Sequence, residues 1–433
     1  MNLPDTLDAW LAYIEGLHHR PVDLGLDRVR AVAGRLSLAL PGTKIIVGGT
    51  NGKGSTCAML ESILRAAGYR VGCYCSPHLL RFNERARVDG EPAGDASLIA
   101  QFEAVERARG STTLTYFEFT TLAVLAWFAR EQIEVAILEI GLGGRLDAVN
   151  IIDADCSIVT SIDLDHTDLL GATREHIGIE KAHIFRPGRP AICVDPDPPV
   201  SLTEFARRIG AVLWRFGQDF SVQAPSEAQA PRQWTYRGRY GNRAALPWPA
   251  LRGAHQLRNA AGALAALEAL AQCLPVDQQA VRRGLSTVRL PGRFQVVAGR
   301  PTIVLDVAHN PQAARALAQA LHSHDLAANQ RETTHAVFGM LRDKDARAVV
   351  KALAGEVDFW HLAPTSGERG RDVAALEAAG FDDAPAPPRA LHDSVAAALD
   401  AAMAAVKPDD RIVVFGSFVI VADALRWLER RPR

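Results

Sequence analysis

The sequence predicts an α/β protein with two domains. Apolar segments of strand length alternate with amphipathic helical segments, which is typical of a parallel sheet covered by helices on both faces. The alternation stops near Leu290-Pro291-Gly292-Arg293 and then restarts. We therefore predict a mostly parallel sheet domain over residues 1–288 and a smaller doubly wound α/β domain over residues 289–433. A chain of 433 residues is long enough for two separate cores.

The first domain is organised around a glycine-rich loop. The apolar segment Ile45–Val47 enters it, and an amphipathic helix from Thr56 to Ala67 leaves it. Glycines let backbone N–H groups converge on a phosphate, the helix N-terminus adds partial positive charge, and Lys53 adds an ammonium. Ser55 or Thr56 could reach a Mg²⁺ ion. The order of strand, loop and helix predicts a phosphate-binding loop, and the alternative is a glycine-rich turn with an isolated lysine.

This loop departs from the common pattern GxxxxGK[ST]. That pattern would require glycine at Val47 and a hydroxyl residue at Gly54, whereas the hydroxyl residues here come one position later. Because few phosphate-binding loops have this displaced hydroxyl residue, the departure says more about the class of protein than a match to the common pattern would.

Polar residues end the other predicted strands of the first domain. The strand Tyr69–Tyr74 leads to Ser76, and the strand Cys156–Ile162 leads to His166. Glu139 lies inside the apolar segment Glu134–Ile140, where a carboxylate costs several kcal/mol unless it is paired or bound to a metal. Because ligands bind at the carboxyl ends of parallel strands, we expect these segments to meet at one ligand-binding crevice beside the loop.

A Mg²⁺ ion beside a nucleotide needs only one or two carboxylates and a hydroxyl, which Glu139 and Ser76 would supply. His166 is either a metal ligand or a histidine that caps the strand end against its aspartate neighbours. The residues alone make Lys181 a helix-surface lysine paired with an acid.

The remaining segments complete the predicted architecture. Helices are expected over 6–17, 26–40, 97–110, 118–132, 173–185, 253–273 and 277–286, with a strand over 190–194. The segment from Pro21 to Arg28 is either a substrate loop or an interhelical turn, and residues 195–250 form a peripheral antiparallel insertion. In the second domain we predict strands near 302–307, 334–339, 357–362 and 411–415, and helices near 312–324, 344–354, 371–379, 392–406 and 418–429.

Composition narrows the class of protein. The net charge of −1 gives no general reason to expect nucleic acid or a membrane as partner. No apolar run is long enough to span a bilayer, and the N-terminus has no signal-peptide pattern. The six cysteines lack CxxC pairs and indicate reduced thiols in a cytoplasmic protein.

Several motifs together resemble the Mur ligase superfamily, and within it the folylpolyglutamate synthase branch. The loop Gly49-Thr50-Asn51-Gly52-Lys53-Gly54-Ser55 is similar to the nucleotide loop of that superfamily, including the displaced hydroxyl. The further motifs follow in order along nearly the whole chain: Ser76-Pro77-His78-Leu79, Thr115-Tyr116-Phe117-Glu118, Leu138 to Ala148, Asp165-His166-Thr167, Glu180-Lys181-Ala182 and Asp306 to Pro311. A departure is His183, which stands where the family pattern has glycine.

The resemblance implies a first domain like the Mur ligase central domain, with a pterin pocket, and a second domain that closes over ATP and binds glutamate. It implies two Mg²⁺ sites, with Ser76 and Glu139 at one and His166 at the other, and a CO₂-derived carbamate on Lys181 as a further metal ligand. Lys53, His166 and Lys181 would be catalytic. ATP would contact Gly49, Thr50, Asn51, Gly52, Lys53, Gly54, Ser55, Thr56, Asn259, Arg293, Asp306 and His309. The pterin pocket would comprise Val22, Asp23, Thr115, Tyr116, Phe117, Glu118, Leu146, Asp147 and Ala148.

The implied activity is ATP-dependent joining of L-glutamate to 7,8-dihydropteroate, followed by addition of glutamates to reduced folates through an acyl phosphate. The implied partners are these small molecules, without nucleic acid or membrane, and the implied state is a monomer. The alternatives are an enzyme that only lengthens the glutamate tail and a P-loop kinase or regulatory NTPase. The second alternative leaves Glu139, Lys181 and the motif at Asp306 unexplained, and a non-catalytic binding protein would not need so many metal-directed groups.

Overall fold

The computed structural model describes residues 3–224, 233–328, 333–381 and 387–431. Within these ranges the chain forms two compact units. The first comprises residues 3–224, 233–249 and 257–288, and the second comprises residues 250–256 and the described residues from 289 to 431. Each unit has its own sheet.

The main sheet of the first unit has eight strands in the order β4-β3-β2-β5-β1-β6-β7-β8. Strands β2, β5, β1, β6, β7 and β8 pair in parallel, and β3 and β4 add an antiparallel edge. The strands are β1 Thr43–Gly48, β2 Val71–Tyr74, β3 Ala86–Val88, β4 Glu91–Pro92, β5 Val135–Glu139, β6 Cys156–Val159, β7 Pro190–Cys193 and β8 Val212–Arg215. This sheet confirms the predicted mostly parallel domain.

Helices cover this sheet because its central strands are apolar on both faces. In β1 the side chains of Ile45, Ile46 and Val47 are all fully buried. The helices of the first unit are α1 Leu7–Glu15, α2 Asp27–Arg35, α3 Lys53–Ala66, α4 Asp95–Arg109, α5 Tyr116–Arg130, α6 Thr167–Leu170, α7 Arg174–Ala182, α8 Val200–Ile209, α9 His255–Ala269 and α10 Gln278–Thr287, the first residues of α9 being grouped with the second unit. Short 3₁₀ turns lie at Phe82–Arg85 and Ala148–Ile151.

The prediction of an antiparallel insertion over residues 195–250 was wrong in its first half. Helix α8 and strand β8 form another helix–strand unit, and β8 pairs in parallel with β7 in the main sheet. The apolar face of α8 carries Leu202, Phe205 and Ala206 at helical spacing. The prediction instead followed the composition of the whole segment 195–250, which is rich in Pro, Gln and Arg. The second half does form a small antiparallel sheet of β9 Ser221–Gln223, β10 Gln233–Arg237 and β11 Asn242–Pro247.

The second unit has a six-stranded sheet in the order β12-β13-β17-β14-β15-β16. Its strands are β12 Gln295–Val297, β13 Thr302–Leu305, β14 Thr334–Phe338, β15 Phe359–Leu362, β16 Arg389–Leu391 and β17 Arg411–Phe415. Its further helices are α11 Pro311–Ala328, α12 Ala346–Leu353, α13 Val373–Gly380, α14 Val395–Ala405 and α15 Phe418–Glu429. Every predicted strand and helix of this domain is present, while the three-residue edge strands β12 and β16 were missed because so short a pattern carries little periodicity.

Three histidines lie side by side across this second sheet. His335 on β14, His361 on β15 and His392 after β16 are joined by ring nitrogen contacts of 3.1 Å on each side of His361. His361 is buried, with 3% of its surface exposed. Burial, together with its histidine neighbours, lowers the pKa of His361 to about 4.

We predict that this histidine row makes the second unit sensitive to acid. The folded pKa of His361 lies below the unfolded value of 6.5, so the neutral ring stabilises the fold fully above pH 6.5 and this contribution is lost as the pH falls towards about 4. The urea concentration at the unfolding midpoint should fall over that window in the parent protein, and fall less in His361→Gln. His19→Gln, at an exposed position of the first unit, is the control and should keep the parent slope. Equal slopes for the parent and His361→Gln would contradict the prediction.

Candidate active site

The glycine-rich loop lies between β1 and α3 in the centre of the main sheet. Helix α3 begins at Lys53, earlier than the sequence indicated, and its N-cap is Gly52 with a φ of 90°. The first turn of α3 therefore carries Lys53, Gly54, Ser55 and Thr56 directly behind the loop. This geometry points a helix N-terminus at the space above the loop, as in phosphate sites.

The segment after β6 supports the loop through hydroxyl groups. The Thr160 hydroxyl donates to the Asn51 carbonyl at 2.7 Å, and the Thr50 N–H donates to the Ser161 carbonyl at 2.6 Å. A Cβ at Gly49 would lie 1.9 Å from Thr160 Oγ1, so only glycine fits there. Sequence reasoning missed Thr160 and Ser161, although hydroxyl residues directly after an apolar strand were a usable signal.

Two lysines converge on one carbonyl oxygen of the loop. Lys181 Nζ donates to the Gly49 carbonyl at 2.9 Å, and Lys53 Nζ donates to the same oxygen at 3.2 Å and to the Thr50 carbonyl at 3.3 Å. Lys181 is buried, with 4% of its surface exposed. The surface position that the residues alone favoured for Lys181 was therefore wrong.

Burial and the nearby Lys53 charge lower the pKa of Lys181 to about 7. A substantial fraction of this amine is therefore neutral near pH 7, as carbamate formation requires. The carboxylates of Asp165 and Asp147 act in the opposite direction on Lys181. His183, the departure from the family pattern, has its ring 4.2 Å from that of Phe205 and bonds the Ile179 carbonyl, so its bulk is accommodated against α8.

Glu139 ends β5 beside the loop, with 5% of its surface exposed. Its Cα partner in the sheet is Val47, the residue two positions before Gly49. The Ser76 N–H donates to Glu139 Oε2 at 3.3 Å, which brings together the two predicted Mg²⁺ ligands. A buried carboxylate beside a serine suits a hard cation with several waters, so the residues present fit Mg²⁺.

Two cysteines lie beside this carboxylate and a third contacts one of them, although their spacing in the sequence did not indicate a cluster. Cys73 and Cys75 Sγ atoms are 3.6 Å apart, and the sulfur atoms of Cys57 and Cys75 lie within 4.8 Å of a Glu139 carboxylate oxygen. All six cysteines are free, as predicted. Hydrogen bonds from Cys57 and Cys73 hold the pKa of Cys75 well below its usual value.

His166 has a left-handed backbone at φ 51° and caps α6. Its backbone N–H donates to Asp165 Oδ1 at 2.9 Å, and its Nε2 lies 3.9 Å from the same oxygen. Its predicted role as a metal ligand stays a prediction.

Asn259 on α9 lies against the loop. A Cβ at Gly52 would be 2.6 Å from Asn259 Oδ1, so this amide lies against the loop at the N-cap of α3. Two positions predicted to bind ATP, distant in sequence, are thus brought together within the first unit.

The predicted pterin residues divide into a polar and an aromatic group. The polar group is an ion-pair chain in which Arg28 contacts Asp23 at 2.6 Å and Glu118 at 3.0 Å. Glu118 also forms a capping box with Thr115 at the start of α5. The sequence places Arg28 at the end of the candidate substrate loop but does not link it to Glu118, because that contact depends on the tertiary structure.

The aromatic group lies nearer the carboxyl end of β5. The Phe117 ring would be 2.6 Å from a Cβ at Gly141, so it covers that residue closely. The Tyr116 ring lies under the Arg85 guanidinium at 5.5 Å. Of the other predicted residues, Asp147 and Ala148 are buried, Leu146 is half-buried and Val22 is exposed.

The Asp147 carboxylate accepts hydrogen bonds from the backbone of its own loop. Its carboxylate accepts from the Leu142 and Val149 N–H groups, both at 2.9 Å. Burial raises its pKa to about 6. These bonds fix the loop between β5 and the Ala148–Ile151 turn, and the Glu180 carbonyl holds the same loop to α7 through the Arg145 N–H.

Two of the three nucleotide candidates of the second unit lie beside Phe418. The Arg293 guanidinium lies 5.2 Å from the Phe418 ring centroid, and the His309 ring lies 6.1 Å from it. Asp306 accepts from the Phe294 and Ala308 N–H groups, and burial raises its pKa.

Comparison with known proteins agrees with this geometry. Residues 47–267 match the Mur ligase middle domain, and residues 292–418 match the Mur ligase glutamate ligase domain. Together these matches define a ligase of the Mur type. Over the described ranges, no helix is long and apolar enough to cross a membrane.

Similarity to individual proteins narrows the class. The chain is 45% identical over 427 residues to the dihydrofolate synthase/folylpolyglutamate synthase of Escherichia coli (strain K12), covering 98% of this chain and 96% of that protein. The solved structure of E. coli FolC in complex with DHPP and ADP superposes with a TM-score of 0.91 at 44% identity, covering 98% of both chains. The bifunctional folylpolyglutamate synthase/dihydrofolate synthase of Yersinia pestis, complexed with AMPPNP and Mn ion, superposes with a TM-score of 0.90 at 42% identity, covering 99% of this chain and 100% of that one. The chain therefore belongs to the Mur ligase family and, within it, to the dihydrofolate synthase/folylpolyglutamate synthases.

We predict that the contact between Gly52 and Asn259 is needed for nucleotide binding. Gly52→Ala and its control Gly68→Ala share the same backbone constraint, with φ values of 90° and 92°, but a Cβ at Gly68 meets nothing within 4 Å. Gly68→Ala should lose about 1–2 kcal/mol of stability from this backbone constraint, and Gly52→Ala should lose more because its Cβ also meets Asn259. Only Gly52→Ala should also weaken ADP binding, by about tenfold or more, in a calorimetric titration. Equal ADP affinity in the two variants would contradict the prediction.

Proposed function

We propose that this chain is an ATP-dependent ligase that joins L-glutamate to 7,8-dihydropteroate, forming dihydrofolate, and then adds glutamates to reduced folates. The observation that carries the proposal is the buried Lys181 amine, which donates to the loop carbonyl of Gly49 at 2.9 Å. A simple nucleotide switch has no use for a second buried lysine on its phosphate loop. A ligase has such a use, because it must hold extra anionic ligands beside the reacting phosphate.

The loop would hold the nucleotide. Backbone N–H groups at the N-terminus of α3 would face the phosphates, and Lys53 would move from the Gly49 and Thr50 carbonyls to the β and γ oxygens. Asn259 would contact the nucleotide from α9. Ser76 and Glu139 would hold one Mg²⁺, and His166 a second; bound Mg²⁺ would neutralise the charge that develops on the transferred phosphoryl group.

The reaction follows from the weakness of a carboxylate as an electrophile. The pterin carboxylate oxygen attacks the γ-phosphorus in line, the bond to the ADP oxygen breaks, and an acyl phosphate forms. The neutral glutamate amine then attacks the acyl carbon. The carbon–oxygen bond to phosphate breaks, the amine loses a proton, and an amide results. Lys53 and the loop N–H groups stabilise the negative charge during the first step.

Lys181 would act as a carbamate. Its neutral amine adds to CO₂ and loses a proton, which converts a cation into an anionic oxygen ligand. Support comes from the burial of Lys181 and from its pKa of about 7. As a carbamate, Lys181 would no longer repel Lys53, and its oxygens would complete a metal site.

The pterin pocket would use both groups of residues described above. Phe117 and Tyr116 offer aromatic faces to the pterin ring, while Asp23 and Glu118, held by Arg28, offer acceptors for its N–H groups. Leu146, Asp147 and Ala148 would form another wall, and Val22 is exposed at the surface. The E. coli and Y. pestis relatives carry both activities in their names, which favours the bifunctional enzyme over one that only lengthens the tail.

The proposal extends to the second unit and to the state of the protein. Arg293, Asp306 and His309 would contact ATP, and residues 289–433 would bind glutamate, in line with the glutamate ligase domain matched there. We also propose a cytoplasmic monomer whose partners are its substrates; a net charge of −1 favours neither nucleic acid nor an anionic membrane.

An isotope experiment tests the ligase against the kinase or NTPase. With ¹⁸O in the dihydropteroate carboxylate, the acyl phosphate route delivers one labelled oxygen to each phosphate released during glutamate addition. Mass spectrometry of the phosphate, with and without glutamate, reads this directly. Unlabelled phosphate, or ATP turnover indifferent to the pterin, would contradict the proposal. A parallel reaction with tetrahydrofolate as acceptor separates the bifunctional enzyme, active on both, from the tail-lengthening alternative.

A substitution tests the carbamate. Lys181→Ala should lose at least about 100-fold in kcat and recover part of it when a short carboxylate such as formate or acetate is added, because the anion can replace the carbamate oxygens. The control is Lys351→Ala, an exposed lysine of α12, which should keep the parent activity and show no response to the carboxylate. Full activity of Lys181→Ala would argue against the carbamate, as would an equal response in both variants.

A further inference from the structure

Two thiols and a carboxylate meet under the phosphate loop. Sulfur atoms of Cys57 and Cys75 and a carboxylate oxygen of Glu139 all lie within 4.8 Å of one another. Cys57 and Glu139 are buried, whereas Cys75 is partly exposed. An ion could therefore reach these three residues from the side of Cys75.

The fold brings these residues together from three elements. Strands β2 and β5 are parallel neighbours with Tyr74 opposite Leu138, so the next residues, Cys75 and Glu139, leave the sheet side by side. Helix α3, which carries Cys57, packs on both strands. The positions are 57, 75 and 139 in the chain, and this distance in sequence explains why the cysteines seemed scattered.

We propose that Cys57, Cys75 and Glu139 bind one thiophilic divalent cation, such as Zn²⁺ or Cd²⁺. Two sulfurs and one carboxylate oxygen are a ligand set for Zn²⁺, and Mg²⁺ instead prefers oxygen alone. In a tetrahedral site with Zn–S bonds of about 2.3 Å, ligand sulfurs lie roughly 3.8 Å apart, so the group needs little rearrangement. Each thiol that binds releases its proton to solvent, and the three ligands leave a fourth position for water.

Cys73 has a different role in this cluster. Arg87 Nη2 lies 3.3 Å from Cys73 Sγ and 2.7 Å from Glu61 Oε2, so Cys73 contacts the guanidinium as well as Cys75, whose sulfur is 3.6 Å away. The same nitrogen is 4.0 Å from Cys75 Sγ. Arg87 therefore places a positive charge beside the cluster, which offsets the negative charge of thiolates and a carboxylate.

Occupancy of this site would affect the neighbouring Mg²⁺ site. Glu139 is shared between the two, since the Ser76 N–H also bonds its Oε2 at 3.3 Å. A thiophilic ion that binds Glu139 withdraws that carboxylate from Mg²⁺. The site would thus make the enzyme sensitive to Zn²⁺ or Cd²⁺ at millimolar Mg²⁺.

The test is a Cd²⁺ titration of the full metal-free chain with a phosphine reductant and without nucleotide or folate. Ultraviolet thiolate-to-metal charge transfer reports the bound thiolates, and equilibrium dialysis gives the stoichiometry. We expect one ion per chain in the parent protein. Cys57→Ser and Cys75→Ser should each weaken binding about tenfold or more and lower the charge-transfer intensity at saturation by about half. Glu139→Gln should weaken binding and keep the full intensity.

Cys273→Ser is the matched control, because Cys273 is exposed and outside the cluster. It should retain the parent affinity and intensity, and circular dichroism should show that all variants are folded. The absence of charge transfer in the parent protein would overturn the proposal, as would full intensity in the double variant Cys57→Ser/Cys75→Ser. Since the titration contains no substrate, its result does not depend on whether the proposed ligase reaction is correct.

Discussion

The structure of the site depends on the backbone carbonyl of Gly49. It accepts hydrogen bonds from both Lys53 and Lys181, at 3.2 and 2.9 Å. This arrangement holds two ammonium groups close together in a buried place, and it is one reason why the pKa of Lys181 falls to about 7. Thr160 excludes any side chain at Gly49, so the carbonyl is held in place from the β6 side of the loop as well. A loop built in this way is prepared for anions before any ligand arrives.

Acidic side chains that follow or end the neighbouring strands lie near these lysines. Asp147 and Asp165 both act on Lys181, while Glu139 lies at the level of Val47 on the adjacent strand. Parallel pairing of β5, β1 and β6 puts all their carboxyl ends at one edge, so charges of both signs share a small volume. Bound metal ions would add positive charge and a bound nucleotide would add negative charge at this edge. This edge of the sheet therefore presents charged groups of both signs to a ligand.

The same edge explains the cysteine cluster. Cys75 and Glu139 are neighbours because β2 and β5 are, and Cys57 joins them because α3 crosses above both strands. Ser76 and Glu139 offer oxygen ligands to a hard cation, and Cys75, the residue before Ser76, offers a sulfur ligand. Selectivity between Mg²⁺ and a thiophilic ion then depends on whether Ser76 or the two cysteines supply the remaining ligands.

The sequence by itself determined the class of fold, the position of the phosphate loop and the order of most elements, because these follow from short periodic patterns and from glycines with a local purpose. It also indicated that Glu139 needed a partner. Only the tertiary structure decided that Lys181 is buried, that Arg28 joins Asp23 to Glu118, and that Cys57 lies beside Cys75. The tertiary structure also showed that β8 belongs to the main sheet and that α8 is the helix before it. These facts depend on contacts between residues far apart in the chain, and local patterns carry no record of which strands become neighbours.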